Sequence, residues 1–275
     1  MDEGEAGMAD RGSDDLFERG DYSFWSRLFR PASESLVEAA AVSVGVRVLD
    51  VAAGDGNTAL TAAARGADVT AVDPSPSQVA RGRHRSEGFQ VRWVLARGER
   101  LPFADASFDH ALDTFGDNLD EPTAKPALEE MARVVRPGGV FGFTFWTREG
   151  FNRDWAELED RFLASGSEGS SPPLLGTEPT ARAAVTRLAT HVEITRQTLL
   201  ISWSSVDSFA DALIEEDPYL HDLRRRLPPT RWSAFTDELL GLMHKWNGEP
   251  RSGLQIEFPY LCVVARPPPH GSGGG

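Results

Sequence analysis

The feature that most restricts the fold of this chain is a regular alternation, between Val46 and Trp146, of short β-rich apolar runs with helical patterns. We predict strands at residues 46–52, 68–73, 89–95, 108–115 and 140–146. The intervening segments are long enough for crossover helices, an arrangement that is typical of parallel strands. Similar runs return at 191–203 and 255–265, separated by a long helical pattern. The sequence therefore predicts an α/β fold with a mostly parallel sheet.

Helix boundaries in this region are marked by capping residues and glycines. Asn57 can cap a helix that ends before Gly66. A later helix, predicted at 123–135, precedes a Pro-Gly-Gly segment at 137–139. We expect the chain to turn at that segment before the fifth strand begins.

Charge and cysteine content exclude several kinds of partner and location. With 28 Lys and Arg against 42 Asp and Glu, the net charge is −14, and such a surface repels nucleic acid phosphates and anionic lipids. Cys262 is the only cysteine, and the first residues lack a signal-peptide pattern. No apolar run approaches the roughly 20 residues of a membrane-spanning helix. We therefore expect a cytoplasmic protein, monomeric or homodimeric, with no nucleic acid or membrane partner.

A glycine-rich turn follows the first predicted strand. The strand ends near Asp50 and runs into Gly54 and Gly56, where small residues allow a ligand to approach the backbone. Together with Ala59, these glycines fit the GxGxxA pattern of dinucleotide-binding proteins. Asp73, at the end of the second strand, is placed to accept hydrogen bonds from ribose hydroxyls. From these residues alone, a nicotinamide-dependent oxidoreductase and a purely structural glycine loop are both open alternatives.

Four motifs together resemble the class I S-adenosylmethionine-dependent methyltransferases, particularly the branch of ubiquinone and menaquinone biosynthesis enzymes. The motifs are DVAAGDG, AVDPS, RGERLPFADASFD and ARVVRPGGVFGFTFW. The resemblance covers residues 20–150, and more loosely extends to 265. It implies a Rossmann-like, doubly wound, mostly parallel seven-stranded sheet with helices on both faces and an antiparallel last strand.

The resemblance also implies an activity. The cofactor would be S-adenosylmethionine, and the methyl acceptor a small, partly apolar molecule such as a quinone-like compound or a secondary metabolite. An oxidoreductase gives no reason for Asp50, for LPFADASFD or for RPGG. A protein of this fold that binds the cofactor without transferring a methyl group is a further alternative.

The length of 275 residues suits one elaborated domain, which we place at 16–265 between disordered tails at 1–15 and 266–275. The domain is divided into a helical lid at 16–45, a cofactor-binding core at 46–150, and helical acceptor-side elements at 151–190 and 204–254.

Roles of individual residues follow from the same resemblance. Asp50 and the glycine turn are expected to hold the amino acid end of the cofactor, and Asp73 the ribose. Gly98 and Glu99 are expected beside adenine. The candidate cofactor-binding residues are Tyr22, Trp25, Asp50, Ala52, Gly54, Gly56, Asp73, Pro74, Gly98, Glu99, Asp113 and Thr114.

Two positions depart from the pattern of the family. Ala52 replaces the first glycine of the turn, and Arg97 replaces the acidic residue that often binds the adenine amino group. We therefore expect adenine recognition to rest on the backbone near Gly98.

Candidate catalytic bases are ranked by position, because ligands of open α/β sheets bind beyond the carboxyl ends of the strands. Asp117 follows the fourth strand at that end, and His221 lies in the connection that starts and finishes there if the last two strands are antiparallel. We predict these two as candidate bases, whereas His110 and His191 lie near strand starts and are expected to be structural or surface residues. No HExxH, CxxC or clustered histidine and carboxylate pattern indicates a metal site.

Two sets of mainly aromatic side chains are candidates to line an acceptor pocket, or alternatively to belong to the core. The first set is Tyr22, Phe24, Trp25 and Phe29, and the second is Trp232, Phe235, Leu239, Met243 and Trp246. In the resembling family the segment before the first strand often folds over the cofactor. Tyr22 and Trp25 are therefore the predicted lid residues.

Overall fold

A seven-stranded sheet forms the centre of the molecule in the computed structural model, which describes residues 22–116, 124–163, 176–248 and 253–268. The strands are β1 (Arg47–Val51), β2 (Asp68–Asp73), β3 (Val91–Leu95), β4 (Phe108–Thr114), β5 (Val135–Trp146), β6 (His191–Trp203) and β7 (Leu254–Arg266). Their order is β3-β2-β1-β4-β5-β7-β6, with β7 antiparallel to both neighbours and every other pair parallel. The predicted mostly parallel sheet with an antiparallel last strand is confirmed.

Helices cover both faces of this sheet. They are α1 (Ser23–Ala39), α2 (Asn57–Ala64), α3 (Pro76–Arg85), α4 (Ala124–Val134), α5 (Gly150–Leu163), α6 (Glu178–Val185), α7 (Val206–Glu216), α8 (Pro218–Arg226) and α9 (Pro229–Trp246). Alternate residues of β1 point to opposite faces, so Val48 packs in one core with Leu36 of α1, whereas Leu49 packs in the other with Leu128 and Met131 of α4. Burial on both faces explains why the strands read as nearly continuous apolar runs.

The start of β5 differs from the plain turn predicted at 137–139. Val135 already pairs with Phe108 of β4, and the register then shifts before Val140 resumes the ladder. Gly138 has a φ of +77°, a left-handed conformation that glycine adopts without strain. The Pro-Gly-Gly segment is therefore a bulge within β5 rather than a turn that precedes it.

The carboxyl ends of all the strands except β7 lie at one edge of the sheet, which we call the carboxyl edge. Because β5 and β6 are both antiparallel to β7, they run in the same direction as each other. The chain therefore leaves β6 at Trp203 and enters β7 at Leu254 at this edge. The connection between these residues, which contains α7, α8 and α9, begins and ends there as predicted.

β7 ends at Arg266, one residue past the predicted domain boundary, and the predicted tail at 1–15 lies outside the described residues. The division into lid, core and acceptor-side elements remains a prediction. None of the helices that the structure describes has the length and apolar character needed to cross a membrane.

Candidate cofactor and acceptor site

The turn between β1 and α2 has left-handed backbone at Ala52, Gly54 and Gly56, with φ values of +51°, +55° and +100°. A side chain at Gly56 would lie 2.9 Å from Cζ2 of Trp93, so glycine is needed for the turn to pack on that indole. Ala52 adopts a conformation that is unfavourable for a residue with a Cβ atom. A glycine at this position would relieve that strain.

Asp50 lies behind this turn and is only 1% exposed. Its Oδ2 accepts a hydrogen bond from the backbone N–H of Ala59 in α2, at 2.8 Å. Burial raises the pKa of Asp50 well above its ordinary value, and the negative charges of Asp113 and Asp73 raise it further, against the hydrogen bond from Ala59. In the free protein Asp50 therefore fixes the start of α2 against the end of β1.

Asp73 ends β2 and is held by two backbone donors. Its Oδ2 accepts from the N–H of Gly54 at 2.8 Å, and its Oδ1 accepts from the N–H of Ser75 at 2.9 Å. Burial raises the pKa of Asp73 to about 6, although these hydrogen bonds and the charge of Arg81 act in the opposite direction. Because a carboxylate accepts about four hydrogen bonds, each oxygen keeps a lone pair for a ribose hydroxyl.

The carboxyl end of β4 contributes Asp113 and Thr114. Asp113 is fully buried, and its Oδ1 accepts a hydrogen bond from the N–H of Gly116 at 2.7 Å. A Cβ atom at Gly116 would lie 2.4 Å from this oxygen and 2.8 Å from Cβ of Ala52, so the exit from β4 packs directly on the glycine turn. The hydroxyl of Thr114 lies 2.8 Å from that of Thr58, which connects the same strand end to α2.

Helix α1 contacts both sides of the candidate site through two consecutive residues. The indole N–H of Trp25 donates to Oδ2 of Asp217, the residue before α8, at 2.6 Å. The hydroxyl of Ser26 donates to Oδ1 of Asp55 in the glycine turn, also at 2.6 Å. The Ser26 carbonyl accepts from the side-chain amide of Asn57 at 2.7 Å. α1 therefore holds the glycine turn and the start of α8 in one arrangement.

Arg85, at the end of α3, joins this contact and is not identified by the sequence. Its guanidinium forms an ion pair with Asp55. It also donates to Oγ of Ser26 at 2.9 Å and to Oδ1 of Asn57 at 3.1 Å. The acid in the middle of the GDG motif is thereby neutralised. That acid is the only sequence signal for this contact, because its partner depends on where α3 ends in space.

An aromatic wall, made of Phe115, Trp146, Phe29 and Trp25, follows β4 and β5 at the carboxyl edge. The rings of Phe115 and Trp146 are stacked, with centroids 3.7 Å apart and planes at 9°. Phe29 lies 5.3 Å from both rings, and Trp25 stacks on Phe29 at 5.2 Å. Phe115 has a φ of +57°, which is unusual for a bulky residue.

The second predicted set serves mainly the core. Phe235, Leu239 and Met243 of α9 are fully buried. Trp246, at the end of this helix, donates its indole N–H to Oδ2 of Asp154 at 2.9 Å. Of the two sets, the first therefore supplies side chains to the aromatic wall and the second stabilises the helical layer.

Of the two candidate bases, the structure describes only His221. Asp117 lies outside the described residues. His221 is exposed in the first turn of α8, and its backbone N–H donates to the carbonyl of Asp217 at 3.1 Å. His110 lies in the amino half of β4, where burial lowers its pKa, and His191 is the exposed first residue of β6. Both of these histidines therefore lie away from the carboxyl edge, as predicted from strand order.

Two further acidic residues near α5 and α8 are not identified by the sequence. Glu159 accepts the indole N–H of Trp155, just as Asp217 accepts that of Trp25. Burial raises the pKa of Glu159 to about 8, and the negative charge of Asp217 adds to this effect. Burial also raises the pKa of Asp217. No motif indicates this pair, because its members come from separate helices.

The loop after β3 lies beside Asp73, since the N–H of Ala96 donates to the Asp73 carbonyl at 3.2 Å. Gly98 is buried and Arg97 is exposed. Oε2 of Glu99 is buried and has no hydrogen-bond partner among the residues that the structure describes. This loop therefore presents the two predicted adenine-side residues next to the predicted ribose site.

Tyr22 and Pro74 complete the predicted set. Tyr22 immediately precedes α1, Pro74 immediately follows Asp73, and both are half-buried. In the described part of the chain, no group of three His, Cys, Asp or Glu side chains is arranged to hold a metal ion. The predicted cofactor residues thus lie in or after β1, β2, β3 and β4 or at the start of α1, whereas His221 lies in α8 and Asp117 is outside the described residues.

The sheet order and the glycine turn at its carboxyl edge define the class I methyltransferase fold, and comparisons with known proteins agree. Residues 48–139 match a family model described as a methyltransferase domain. An uncharacterized protein of Mycobacterium tuberculosis is 41% identical over 135 residues, which are 48% of this chain and 49% of that protein. A demethylmenaquinone methyltransferase of Renibacterium salmoninarum is 38% identical over 166 residues, which are 58% of this chain and 65% of that enzyme.

The chain spans about half the length of the first of these curated relatives. Among solved structures, a protein of an antibiotic biosynthesis pathway of Anabaena variabilis has a TM-score of 0.60 at 18% identity, covering 87% of this chain and 98% of that one. That likeness shows the fold alone. Residues 48–139 therefore match a methyltransferase domain, and the resemblance to the class I S-adenosylmethionine-dependent methyltransferases of the ubiquinone and menaquinone branch is confirmed.

Proposed function

We propose that this chain transfers the methyl group of S-adenosylmethionine to a small, partly apolar molecule. The observation that carries the proposal is a group of three buried carboxyl side chains, Asp73, Asp50 and Asp113, on the adjacent strands β2, β1 and β4 respectively. Neighbouring strands are about 4.8 Å apart, so these negative charges act on one another. A bound cation would offset this repulsion, and the cofactor carries a sulfonium and an ammonium group.

The same charges disfavour the dinucleotide alternative. In dinucleotide-binding proteins the glycine turn holds an anionic pyrophosphate. Here Asp50 and Asp113 lie behind the turn, and Asp55 lies within it. Although Arg85 neutralises Asp55, the two acids behind the turn would repel the pyrophosphate.

The residues present fit the proposed cofactor. Asp73 has lone pairs for the ribose hydroxyls, and the glycine turn allows the amino acid end to approach the backbone. The cofactor supplies an electrophilic methyl group when it is bound. The protein has to align the acceptor with that methyl group and exclude water, which the aromatic wall and α1 are placed to do.

The aromatic wall favours an acceptor with a flat apolar surface. The menaquinone relative supports a quinone-like acceptor, and a secondary metabolite of similar shape is compatible with the same surface. For an acceptor that must lose a proton, we propose Asp117 or His221 as the base. Asp117 follows β4 in the sequence, and His221 lies in the connection from β6 to β7 that begins and ends at the carboxyl edge. A base has to come within hydrogen-bond reach of the acceptor, directly or through one water.

Binding of the cofactor tests this proposal directly. We expect isothermal titration calorimetry to detect S-adenosylmethionine and S-adenosylhomocysteine, with NAD at least about a hundredfold weaker, or about 2.7 kcal/mol. Comparable binding of NAD would contradict the proposal. Transfer itself is measured as acceptor-dependent formation of S-adenosylhomocysteine with a panel of quinols and phenols. Cofactor binding without turnover over this panel would favour the alternative of a protein that does not transfer the methyl group.

The pKa of Asp73, raised to about 6, predicts how cofactor binding depends on pH. Ribose hydroxyls donate to the ionised carboxylate, so binding favours loss of its proton. We expect the affinity for S-adenosylhomocysteine to fall as the pH drops below 6, by at most about tenfold per pH unit. Calorimetry between pH 5 and 8 measures this, with Asp73→Asn as the variant that removes the titration at this position. Equal pH dependence in both proteins would show that another group, such as Asp50, is responsible.

The stability of the free protein should change with the opposite sign. The folded pKa of Asp73 lies above its ordinary value of 3.8, so ionisation of this group disfavours the folded state. Its contribution to stability is therefore present at low pH and is lost as the pH rises from about 4 to about 6. The negative charge of Asp55 raises the pKa of Asp73 further and the positive charge of Arg81 lowers it, so both charges help to set this pKa.

A further inference from the structure

We propose that a cavity at the amino edge of the sheet, where all the strands except β7 begin, binds a free α-amino acid with an apolar side chain. Arg92 holds the carboxylate of this ligand, and Asp68 holds its ammonium group. The cavity lies at the opposite edge from the glycine turn and the aromatic wall. The inference therefore adds a second small-molecule site and does not depend on the proposed function.

The cavity lies against the first residues of β1, β2, β3 and β4. Its volume is about 380 Å³, within the range of roughly 300–1,000 Å³ that is usual for small-molecule sites. Asp68 and Asp73 are the first and last residues of β2, so roughly 16 Å of strand separates this cavity from the predicted ribose site. The side chains that line it include Arg47, Asp68, Thr70, Arg92, Phe103 and Phe108.

The polar lining comes from one face of the sheet. Arg47 and Asp68 are register partners on parallel strands, and so are Thr70 and Arg92. Register partners point to the same face, as do residues two apart in one strand. All four side chains therefore point to the face opposite Trp93, and they do so next to one another.

Two opposite charges in this cavity are not paired with each other. Arg92 donates through Nε and Nη2 to the hydroxyl oxygen of Thr70, at 3.2 and 2.9 Å. Arg47 donates through Nε to Oδ2 of Asp109 in β4, at 3.3 Å. In the part of the chain that the structure describes, Asp68 forms no ion pair with either arginine, and Arg92 forms none with any acid. The carboxylate of Asp68 and the guanidinium of Arg92 are therefore both available to a ligand.

A zwitterion meets both of these charges with one small molecule. In an α-amino acid the carboxylate and the ammonium group are attached to the same carbon atom, so they lie close enough to bind neighbouring side chains. The guanidinium of Arg92 keeps donors beyond the two that it uses for Thr70. The chain has a net charge of −14, which repels simple anions, whereas a zwitterion has no net charge.

The other wall of the cavity is aromatic. The rings of Phe103 and Phe108 are perpendicular, with centroids 5.0 Å apart and planes at 84°. Phe108 is buried and Phe103 is half-buried, so Phe103 offers the accessible apolar surface. An apolar side chain packs on this ring while the polar end of the ligand reaches the strand starts. We therefore expect apolar amino acids to bind more tightly than glycine.

The test compares L-phenylalanine with two analogues by calorimetry at pH 7.5. 3-Phenylpropionate lacks the ammonium group, and 2-phenylethylamine lacks the carboxylate. We expect the wild type to bind phenylalanine with a dissociation constant of about 1 mM or less, and each analogue at least about fivefold more weakly. This factor lies between the effects of an exposed ion pair and of a hydrogen bond to a charged group.

Two substitutions identify the groups that bind. Arg92→Leu should lower the affinity for phenylalanine to that for 2-phenylethylamine, and should leave the affinity for the amine unchanged within about twofold. Asp68→Asn should lower the affinity for phenylalanine to that for 3-phenylpropionate without weakening the acid. Both side chains are exposed, so we expect both variants to fold, and their melting temperatures check this.

Matched controls remove the same charges elsewhere. Arg187→Leu, after α6, and Asp211→Asn, in α7, change exposed residues away from the cavity and should leave the affinity for phenylalanine unchanged within about twofold. Saturation with S-adenosylhomocysteine should also leave it unchanged, because the amino acid end of that compound is expected at the glycine turn.

Several results would overturn the proposal. Equal binding of phenylalanine and both analogues would do so, as would affinity that neither Arg92→Leu nor Asp68→Asn changes, or no detectable binding of phenylalanine, leucine or valine. Competition by S-adenosylhomocysteine would place the amino acid at the glycine turn and would exclude the amino edge. If the protein binds no S-adenosylhomocysteine, the proposed function fails, whereas the two substitutions still decide whether the amino acid site exists.

Discussion

Gly116→Ala should weaken binding of S-adenosylhomocysteine by about tenfold to a hundredfold, the cost of displacing one or two hydrogen bonds to charged groups. The new methyl group would lie 2.4 Å from Oδ1 of Asp113, 2.6 Å from its Oδ2 and 2.8 Å from Cβ of Ala52. The carboxyl group is fully buried and is held by the N–H of Gly116 itself. Either the exit of β4 or the glycine turn must therefore shift, and both lie at the candidate cofactor site.

The same substitution should lower the free energy of unfolding by about 1–3 kcal/mol, as overpacking of a core usually does. The matched control is Gly241→Ala in α9, where a Cβ atom meets no other described atom within 4 Å. That variant should stabilise the protein by about 0.5–1 kcal/mol, because alanine favours helix. Urea denaturation and calorimetry measure both effects. Cofactor affinity in Gly116→Ala equal to that in Gly241→Ala would show that this contact does not position the site.

Gly82→Ala should produce the second large effect, a loss of about 1–3 kcal/mol in the free energy of unfolding. A Cβ atom at Gly82 would lie 2.1 Å from Cη2 of Trp93, deep within the indole. The same edge of this ring limits Gly56 of the glycine turn, where a Cβ atom would lie 2.9 Å from Cζ2 and 3.0 Å from Cη2. Trp93 thus packs against both α3 and the glycine turn, so a shift of the ring caused by a methyl group at position 82 would also affect the turn.

A double-mutant cycle identifies the clash as the cause. Trp93→Phe shortens the ring, so Gly82→Ala should cost at least about 0.5 kcal/mol less in that background than in the wild type. Trp93→Phe has its own cost, because the indole N–H donates to Oγ of Ser86 at 3.0 Å. Additive losses in the double variant would mean that the methyl group at position 82 is tolerated by movement of α3 instead.

Local pattern was sufficient to predict the sheet, because each strand is a short apolar run bounded by turn residues. β2 and β6 have the predicted bounds, and the others agree within a few residues apart from the early start of β5. That difference arises because Val135 pairs with Phe108 across the bulge. A Pro-Gly-Gly segment indicates a change of direction but not whether the ladder continues through it.

Individual site contacts were less predictable, because they depend on which helix ends meet. The sequence predicts Asp73 as a ribose ligand, but its hydrogen bonds to Gly54 and Ser75 depend on the fold of the turn. Arg85 reaches Asp55 only because α3 ends beside that turn. Glu159 and Asp217 come together from α5 and the start of α8, which no spacing in the sequence relates.

Trp25 and Ser26 have a consequence for engineering by exchange of segments. These neighbouring residues of α1 are bonded respectively to the helical layer, at Asp217, and to the glycine turn, at Asp55. α1 therefore contacts two parts of the molecule at once, the helical layer and the glycine turn. A chimaera that takes α7, α8 and α9 from a relative should take α1 as well, or keep an acceptor at position 217, because otherwise the Trp25 indole N–H loses its partner. Recombination boundaries drawn only from the chain order, between lid and core, would cut through this shared element.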